Sequence, residues 1–357
     1  MSEKALIAMS GGVDSSVAAL LTLRSGAACV GVTLKLFENA DVGESSEKSC
    51  CSLTDAGDAR RVAHTLGIPH YVFDFSDEFR RCVIDRFARE YIEGRTPNPC
   101  IDCNRFIKFK RLMRRMAEMD FDCVVTGHYA RAKYDAGSGR RLLKRAADAS
   151  KDQSYVLYAM TQEQLAHTRF PLGDLRKREV REIAAENNFV NARKRDSQDI
   201  CFVPGGKYAD FIEIYTGRQY PPGDFVDASG AVLGRHRGLI RYTVGQRKGL
   251  GLALTEPLYV REKRIRDNTV VLGAEKYLYS RVVEARDINL IATETIPGSF
   301  RVAAKLRYSQ EARAATVWQT GEDSLRVEFD EPQRAAASGQ AVVLYDGDTV
   351  IGGGTIV

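Results

Sequence analysis

Two thiols in C-x-x-C spacing, Cys100 and Cys103, lie in TPNPCIDCN, and a third, Cys201, follows Cys103 by 98 residues in DSQDICF. Prolines fix the approach to the pair, and a strongly basic segment follows it. A thiol near a helix N-terminus and beside Arg and Lys has its thiolate favoured, and a thiolate acts as a nucleophile or as a metal ligand. Taken alone, Cys201 also reads as an inert buried cysteine. Cys50 and Cys51 adjoin in a polar stretch and read as ligands or as exposed thiols, whereas Cys29, Cys82 and Cys123 fall in strand or helix patterns and read as core.

The other chemical signal is Ser10-Gly11-Gly12-Val13-Asp14-Ser15-Ser16. Two glycines let consecutive backbone N–H groups converge, and the positive end of a following helix completes an anion cradle. The serine hydroxyls are expected to add donors, and Asp14 to hold Mg²⁺ beside the phosphates. The loop has no Lys as in G-x-x-x-x-G-K-[ST], so it is not a Walker loop. A tight turn capped by Ser and Asp is the plain alternative.

The elements that must position these residues follow from periodicity. ALIAM (5 to 9) reads as a buried strand, Asp14 to Arg24 as a helix and CVGVTLKLF (29 to 37) as a second strand. A helix from Thr54 to Leu66, a strand at 70 to 75, a helix from Ser76 to Glu93, another at 105 to 118 and a strand at 123 to 127 continue the alternation. That order predicts a parallel sheet with right-handed crossovers, with ligands beyond the carboxyl ends of its strands. The stretch 38 to 53 lacks periodicity and reads as a mobile loop on that edge. From Gly205 the texture changes to Gly, Pro and short alternating strands, with one helix near 207 to 215, which predicts a small β-barrel or sandwich. The expected domains are 1–204, α/β and catalytic; 205–280, β-rich; and 281–357, a C-terminal β-barrel.

The chain has 357 residues, ample for two or three cores at about 150 residues per domain. A hydrophobic fraction of 44% and a charged fraction of 28% exclude disordered, collagen-like and coiled-coil classes. No apolar run approaches the roughly 18 residues of a membrane span, and the chain reads as cytoplasmic. Eight cysteines there are not expected to serve as structural disulfides, so clustered ones point to metal or thiol chemistry. The net charge of +5 is uninformative, but basic runs at 105 to 115, 176 to 195 and 235 to 248 favour a polyanionic ligand over a merely solvated surface.

SGGVDSS resembles the pyrophosphate loop of the ATP-pyrophosphatase superfamily, whose adenine nucleotide alpha hydrolase-like, Rossmann-like fold cleaves ATP to AMP and diphosphate. Together with GRTPNPCIDCNRFIKF (94 to 109), TGHYAR (126 to 131), KDQSYVLY (151 to 158), SQDICF (197 to 202), YTVGQRKGLG (242 to 251) and KLRYSQ (305 to 310), it makes the whole chain resemble the tRNA-specific 2-thiouridylase family. The resemblance implies that ATP adenylates the 2-oxo group of a wobble uridine, which is then thiolated. Cys201 corresponds to the persulfide intermediate, and Cys103 to a nucleophile that attacks C2 or frees the sulfur by forming a disulfide with Cys201.

By the same resemblance, ATP is contacted by Ala8, Met9, Ser10, Gly11, Gly12, Val13, Asp14, Ser15, Leu34 and Gly127. The tRNA anticodon loop is contacted by His128, Lys151, Asp152, Gln153, Arg307, Tyr308 and Gln340. A persulfide donor, a cysteine desulfurase or a sulfur relay carrier, is implied as a partner. Many members carry Asp where this chain has Cys100, so that role is vacant or passes to a thiol or to Asp102. Cys100, Cys103 and Cys201 also match the ligand set of a [4Fe-4S] cluster with one open iron, and Cys50, Cys51, Cys100 and Cys103 that of a zinc ion. Two rival functions are an ammonia-using ATP-pyrophosphatase ligase, which would not need the thiols, and an RNA-binding protein with a structural metal.

Overall fold

The computed structural model describes residues 2–38, 53–196, 199–253 and 256–357. Cys50, Cys51 and nearly all of the expected loop lie outside the described residues.

Strands β1 (Lys4–Ala8), β2 (Ala28–Lys35), β3 (His70–Asp74), β4 (Cys123–Thr126) and β7 (Thr168–Arg169) form a wholly parallel sheet in the order β3-β2-β1-β4-β7. Both faces are covered. Leu6 packs into one apolar cluster and its neighbours Ala5 and Ile7 into another, all fully buried. Alternate side chains of a strand point to opposite faces, so an unbroken apolar run suits a strand covered on both sides. The strand order reverses between β1 and β4, and the loop after β1 opens at that crevice.

Helix α1 (Val13–Arg24) leaves the loop, and α2 (Leu53–Leu66) packs beside it. The helical run 76–92 carries a π-helical segment at Arg80–Ile84. The expected helix at 105 to 118 begins earlier: Pro99–Asp102, Cys103–Arg111 and Leu112–Glu118 join without a break. Asn98 caps this helix by accepting from the Cys100 N–H at 3.1 Å, and Pro99 follows in the first turn, where its missing N–H costs nothing. Cys100 and Cys103 are therefore one turn apart on one helical face.

Strands β5 (Ala130–Asp135) and β6 (Arg140–Arg145) make a hairpin that the sequence reading missed. A four-stranded sheet follows, ordered β10-β11-β8-β9 from β8 (Gly223–Val226), β9 (Val232–His236), β10 (Tyr259–Arg264) and β11 (Thr269–Gly273). Strands β12 (Tyr279–Leu290), β13 (Ser299–Lys305), β14 (Arg313–Gly321), β15 (Ser324–Arg334), β16 (Ala341–Asp346) and β17 (Thr349–Ile356) then close into a six-stranded antiparallel barrel through the β12–β17 pairing. The β5–β6 hairpin pairs with β17, so part of the first region extends the barrel's sheet. Among the described residues no helix is long and apolar enough to cross a membrane.

Candidate active site

The loop at 10–13 is shaped by close approach. Gly11 has φ +75°, and a Cβ there would lie 2.2 Å from the Asp55 carbonyl oxygen. Gly127, just beyond β4, sits so near α1 that a Cβ would fall 2.7 Å from the Ser15 nitrogen. Residues 8–15 and Gly127 are thus brought together, with the N–H groups of the first turn of α1 open to an anion. Leu34 lies near the carboxyl end of β2, on the same edge of the sheet. Met9 prolongs the sheet: its N–H donates to the Val32 carbonyl and its carbonyl accepts from the Thr33 hydroxyl, both at 2.8 Å.

Two of the three serines play a different part from the one expected, whereas Ser10 is exposed. Ser15 and Ser16 are buried, and both hydroxyls donate to the Gly12 carbonyl at 3.0 Å, so they brace the loop rather than face a ligand. Asp14 also departs from expectation. Its two carboxylate oxygens accept from the Lys177 ammonium at 2.7 and 2.8 Å, and Oδ1 also accepts from the Tyr129 hydroxyl at 2.8 Å. A carboxylate already neutralised by an ammonium does not fit as a magnesium ligand.

Lys177 belongs to a basic group delivered by the segment 151–196. Its ammonium also lies 2.8 Å from Asp196, which Lys151 and Arg181 approach at 2.8 Å. Burial works against the Asp196 charge, but hydrogen bonds from Lys151 and Lys177 prevail and hold its carboxyl at about 2. Lys194 pairs with Asp55 and Asp58 and reaches the Gly11 carbonyl at 3.3 Å. Asn191 donates to the Gly11 carbonyl and to the Ser16 hydroxyl, both at 2.9 Å. From the sequence none of these is expected around the loop, Lys151 being expected to meet tRNA; the basic run at 176 to 195 is the one signal there.

On the thiol face, Cys100 is exposed, while Cys103 and Cys201 are half-buried and pack against one apolar cluster with Phe106 and Ile200. Phe202, next to Cys201, is anchored edge-on to Phe79 and Phe87. Asp102 turns elsewhere. It is 7% exposed, lies 3.5 Å from Arg86 and lines a small cavity with Glu90, Tyr158 and the barrel residues Gly339 and Thr355. Burial pushes its carboxyl up to about 6, with Arg86 and Arg105 opposing. Its place is the barrel interface, which does not suit the role left vacant at Cys100. Among the described residues no three His, Cys, Asp or Glu side chains gather closely enough to hold a metal ion. Cys100, Cys103 and Cys201 do not fit a three-thiolate cluster site as they stand, and the zinc reading rests on Cys50 and Cys51, outside the described residues.

The residues expected to meet tRNA fall into two kinds. His128 is enclosed between Phe109 and Phe170 with its Nδ1 2.8 Å from the Thr126 hydroxyl, and burial lowers its imidazole well below the ordinary range. Its ring therefore does not face solvent. Gln153 pairs with the Tyr129 backbone, Asp152 caps the turn at Ser154, and Gln340 donates to the Thr96 carbonyl at 2.7 Å, locking the barrel onto the TPNPC loop. Tyr308 is 43% exposed, and burial, with Asp152 and Cys100 adding to it, raises its hydroxyl.

Many cations of the basic runs are paired within the protein. Arg105 pairs with Asp287, Arg111 with Glu78, Arg114 and Arg115 with Glu118, and Arg241 with Asp210 and Glu213. Charge clustering in sequence therefore overstated the cation surface available to a polyanion.

Comparison with known proteins covers the whole chain. The family descriptions "tRNA methyl transferase HUP domain", "tRNA methyl transferase PRC-barrel domain" and "Aminomethyltransferase beta-barrel domain" match residues 3–205, 209–274 and 280–356. The tRNA-specific 2-thiouridylase MnmA of Moorella thermoacetica is 52% identical over 351 residues, 98% of each chain. That of Clostridioides difficile is 48% identical over 356 residues, 100% of this chain and 98% of the relative. Among solved structures, a 4-thiouridine synthetase–RNA complex with bound ATP aligns with 57% of this chain and 46% of its own at 18% identity and a TM-score of 0.38, a likeness too slight to bear on the site.

Proposed function

This chain belongs to the tRNA-specific 2-thiouridylase family, and from that premise we propose how its own residues carry out ATP-dependent thiolation of tRNA at C2 of the wobble uridine. The observation that supports the assignment is the pairing of two features: an anion cradle at the switch point of a parallel sheet, and Cys103 and Cys201 on a shared apolar cluster.

The cradle at residues 8–15, closed by Gly127, receives the phosphates of ATP. The uridine O2 attacks the α-phosphorus, pyrophosphate leaves, and the oxygen becomes part of an AMP leaving group. The backbone N–H groups of the loop and the positive end of α1 stabilise the charge that develops on the pyrophosphate, while Lys177 and Lys194, paired with Asp14 and Asp196 and with Asp55 and Asp58, hold the loop in shape. Magnesium arrives as the companion of ATP and would supply further neutralisation there; no acid in the described loop fits as its ligand.

Sulfur arrives from a persulfide donor protein and rests on Cys201 as Cys201–S–SH. The Cys103 thiolate attacks the Cys201 sulfur, forming a Cys103–Cys201 disulfide and expelling hydrosulfide. Hydrosulfide adds at C2 and AMP departs, leaving the thiocarbonyl. A thiol reductant returns two electrons to the disulfide. Cys103 and Cys201 are both partly buried, which limits the water around a step in which water would compete for the adenylated base. No step is routed through an iron–sulfur cluster, because the three thiols are not gathered for one.

The decisive experiment compares Cys103→Ser and Cys201→Ser with the parent enzyme, scoring 2-thiouridine and tRNA-dependent pyrophosphate release separately. Both variants are expected to lose 2-thiouridine and keep pyrophosphate release. Undiminished thiolation in both would overturn the cysteine-borne sulfur route, and a parent enzyme that releases pyrophosphate without forming any 2-thiouridine would favour an ammonia-using ligase.

A further inference from the structure

The barrel edge beside the KDQ turn carries cations that no acid holds. Ala303 on β13 pairs directly with Tyr345 on β16, so Lys305, two residues on, shares that face and lies diagonal to Tyr345. The Lys305 ammonium sits 5.7 Å from the ring centroid of Tyr155 and 5.5 Å from that of Tyr308. Arg145, at the end of β6, lays its guanidinium 4.0 Å over the Tyr345 ring, and its Nε is buried with no hydrogen-bond partner. Arg307 donates to the Ala335 carbonyl at 2.6 Å.

Among the described residues, none of these three forms an ion pair with a carboxylate, in contrast to the paired cations of the basic runs. The nearby acid, Asp152, is already engaged: it accepts from the Ala146 and Ser154 N–H groups and from the Ser154 hydroxyl. Burial, helped by Arg145 and opposed by Asp152, lowers the Lys305 ammonium from its ordinary range. Holding cations on aromatic faces without a counter-charge costs solvation that an arriving anion restores. The half-exposed Tyr308 ring beside them offers a base a surface on which to stack, a combination suited to a nucleotide rather than to an acidic peptide.

We propose that Lys305 and Arg145 form a subsite for one backbone phosphate of the tRNA, with Arg307 at its rim and Tyr308 stacking an adjoining base. The subsite rests on the tRNA-thiolation reading and extends it, since neither Lys305 nor Arg145 figured among the expected tRNA contacts. It also gives the β5–β6 hairpin a purpose: pairing with β17 carries Arg145 from the catalytic region to the barrel face, so that one phosphate bridges the two.

The test is tRNA affinity as a function of salt, by anisotropy with unmodified tRNA, for the parent enzyme, Lys305→Gln, Lys305→Arg and Arg145→Gln. Lys305→Gln and Arg145→Gln should each bind about tenfold more weakly, and the log–log salt slope should flatten by about one phosphate contact. Lys305→Arg should keep affinity and slope, and the half-saturating ATP concentration should not move in any variant. If Lys305→Gln does not fold, Arg145→Gln and Lys305→Arg carry the result. A parent enzyme that binds tRNA while both Gln variants match it in affinity and slope overturns the subsite alone and leaves an acidic protein segment as the better occupant. A parent enzyme without affinity for tRNA overturns the functional reading together with the subsite.

Discussion

The Lys177 ammonium lies 2.7 and 2.8 Å from the two carboxylate oxygens of Asp14. The same ammonium lies 2.8 Å from Asp196, five residues before Cys201. One buried lysine therefore ties the glycine loop at 10–13 to the segment that leads to Cys201.

Replacing it should be felt in both places. Lys177 is 9% exposed, and removing one partner of a buried pair strands the other charges, so Lys177→Met should lower stability by about 3 kcal/mol in urea unfolding. Activity should fall further than stability explains, with the ATP half-saturation raised, because Asp14, which follows the loop at 10–13, is left without the ammonium that neutralises it. A variant with parent ATP kinetics would show that Lys177 serves the fold alone.

The glycines of the cradle make a sharper prediction. Gly11 has a positive φ and its missing Cβ would meet the Asp55 backbone, so Gly11→Ala must move α2 or unwind the loop. It should cost more than about 1 kcal/mol and abolish ATP-dependent pyrophosphate release. Gly12, whose Cβ would meet only the Ser10 hydroxyl at 3.5 Å, should tolerate Ala far better in the same assay. The contrast between the two neighbours separates backbone shape from mere sequence similarity.

Two carboxylates should bend the pH dependence of stability in opposite directions. Asp102 binds its proton more tightly when folded, at about 6 against 3.8, so stability falls as pH rises between those values and stays lower above them. Asp102→Asn should remove that slope and be more stable than the parent at pH 8 by up to about 3 kcal/mol. Asp196 is the reverse case. Its carboxyl is held at about 2, so its contribution is complete above 3.8 and is lost as pH falls from 3.8 toward 2; Asp196→Asn should flatten that acid limb. Urea titrations across pH check both.

The parallel sheet was legible because β1 is an uninterrupted apolar run followed at once by a glycine turn and a helix, a local pattern with local causes. The C-x-x-C helix was placed too late because Pro97 and Pro99 look like breakers, whereas Pro99 occupies the first helical turn and Asn98 caps it. Strands β5 and β6 escaped notice because their half-exposed, arginine-rich residues lack clean alternation, and pairing with β17 decides their state. Three basic runs looked like one polyanion surface, yet the acids that neutralise them, such as Asp287 for Arg105, are up to 182 residues away.

The order of types along the chain determined the family, because its motifs, SGGVDSS and the C-x-x-C segment among them, are short spacings legible without the fold. Which charges are available was decided by tertiary structure. Asp14 is taken by Lys177, Asp102 by the barrel interface and several cations of the basic runs, such as Arg105 and Arg241, by acids far along the chain, while among the described residues Lys305 and Arg145 form no ion pair with a carboxylate. Ion pairing is a contest among all charges that folding brings within a few ångströms, and its outcome depends on distances that sequence separation does not encode.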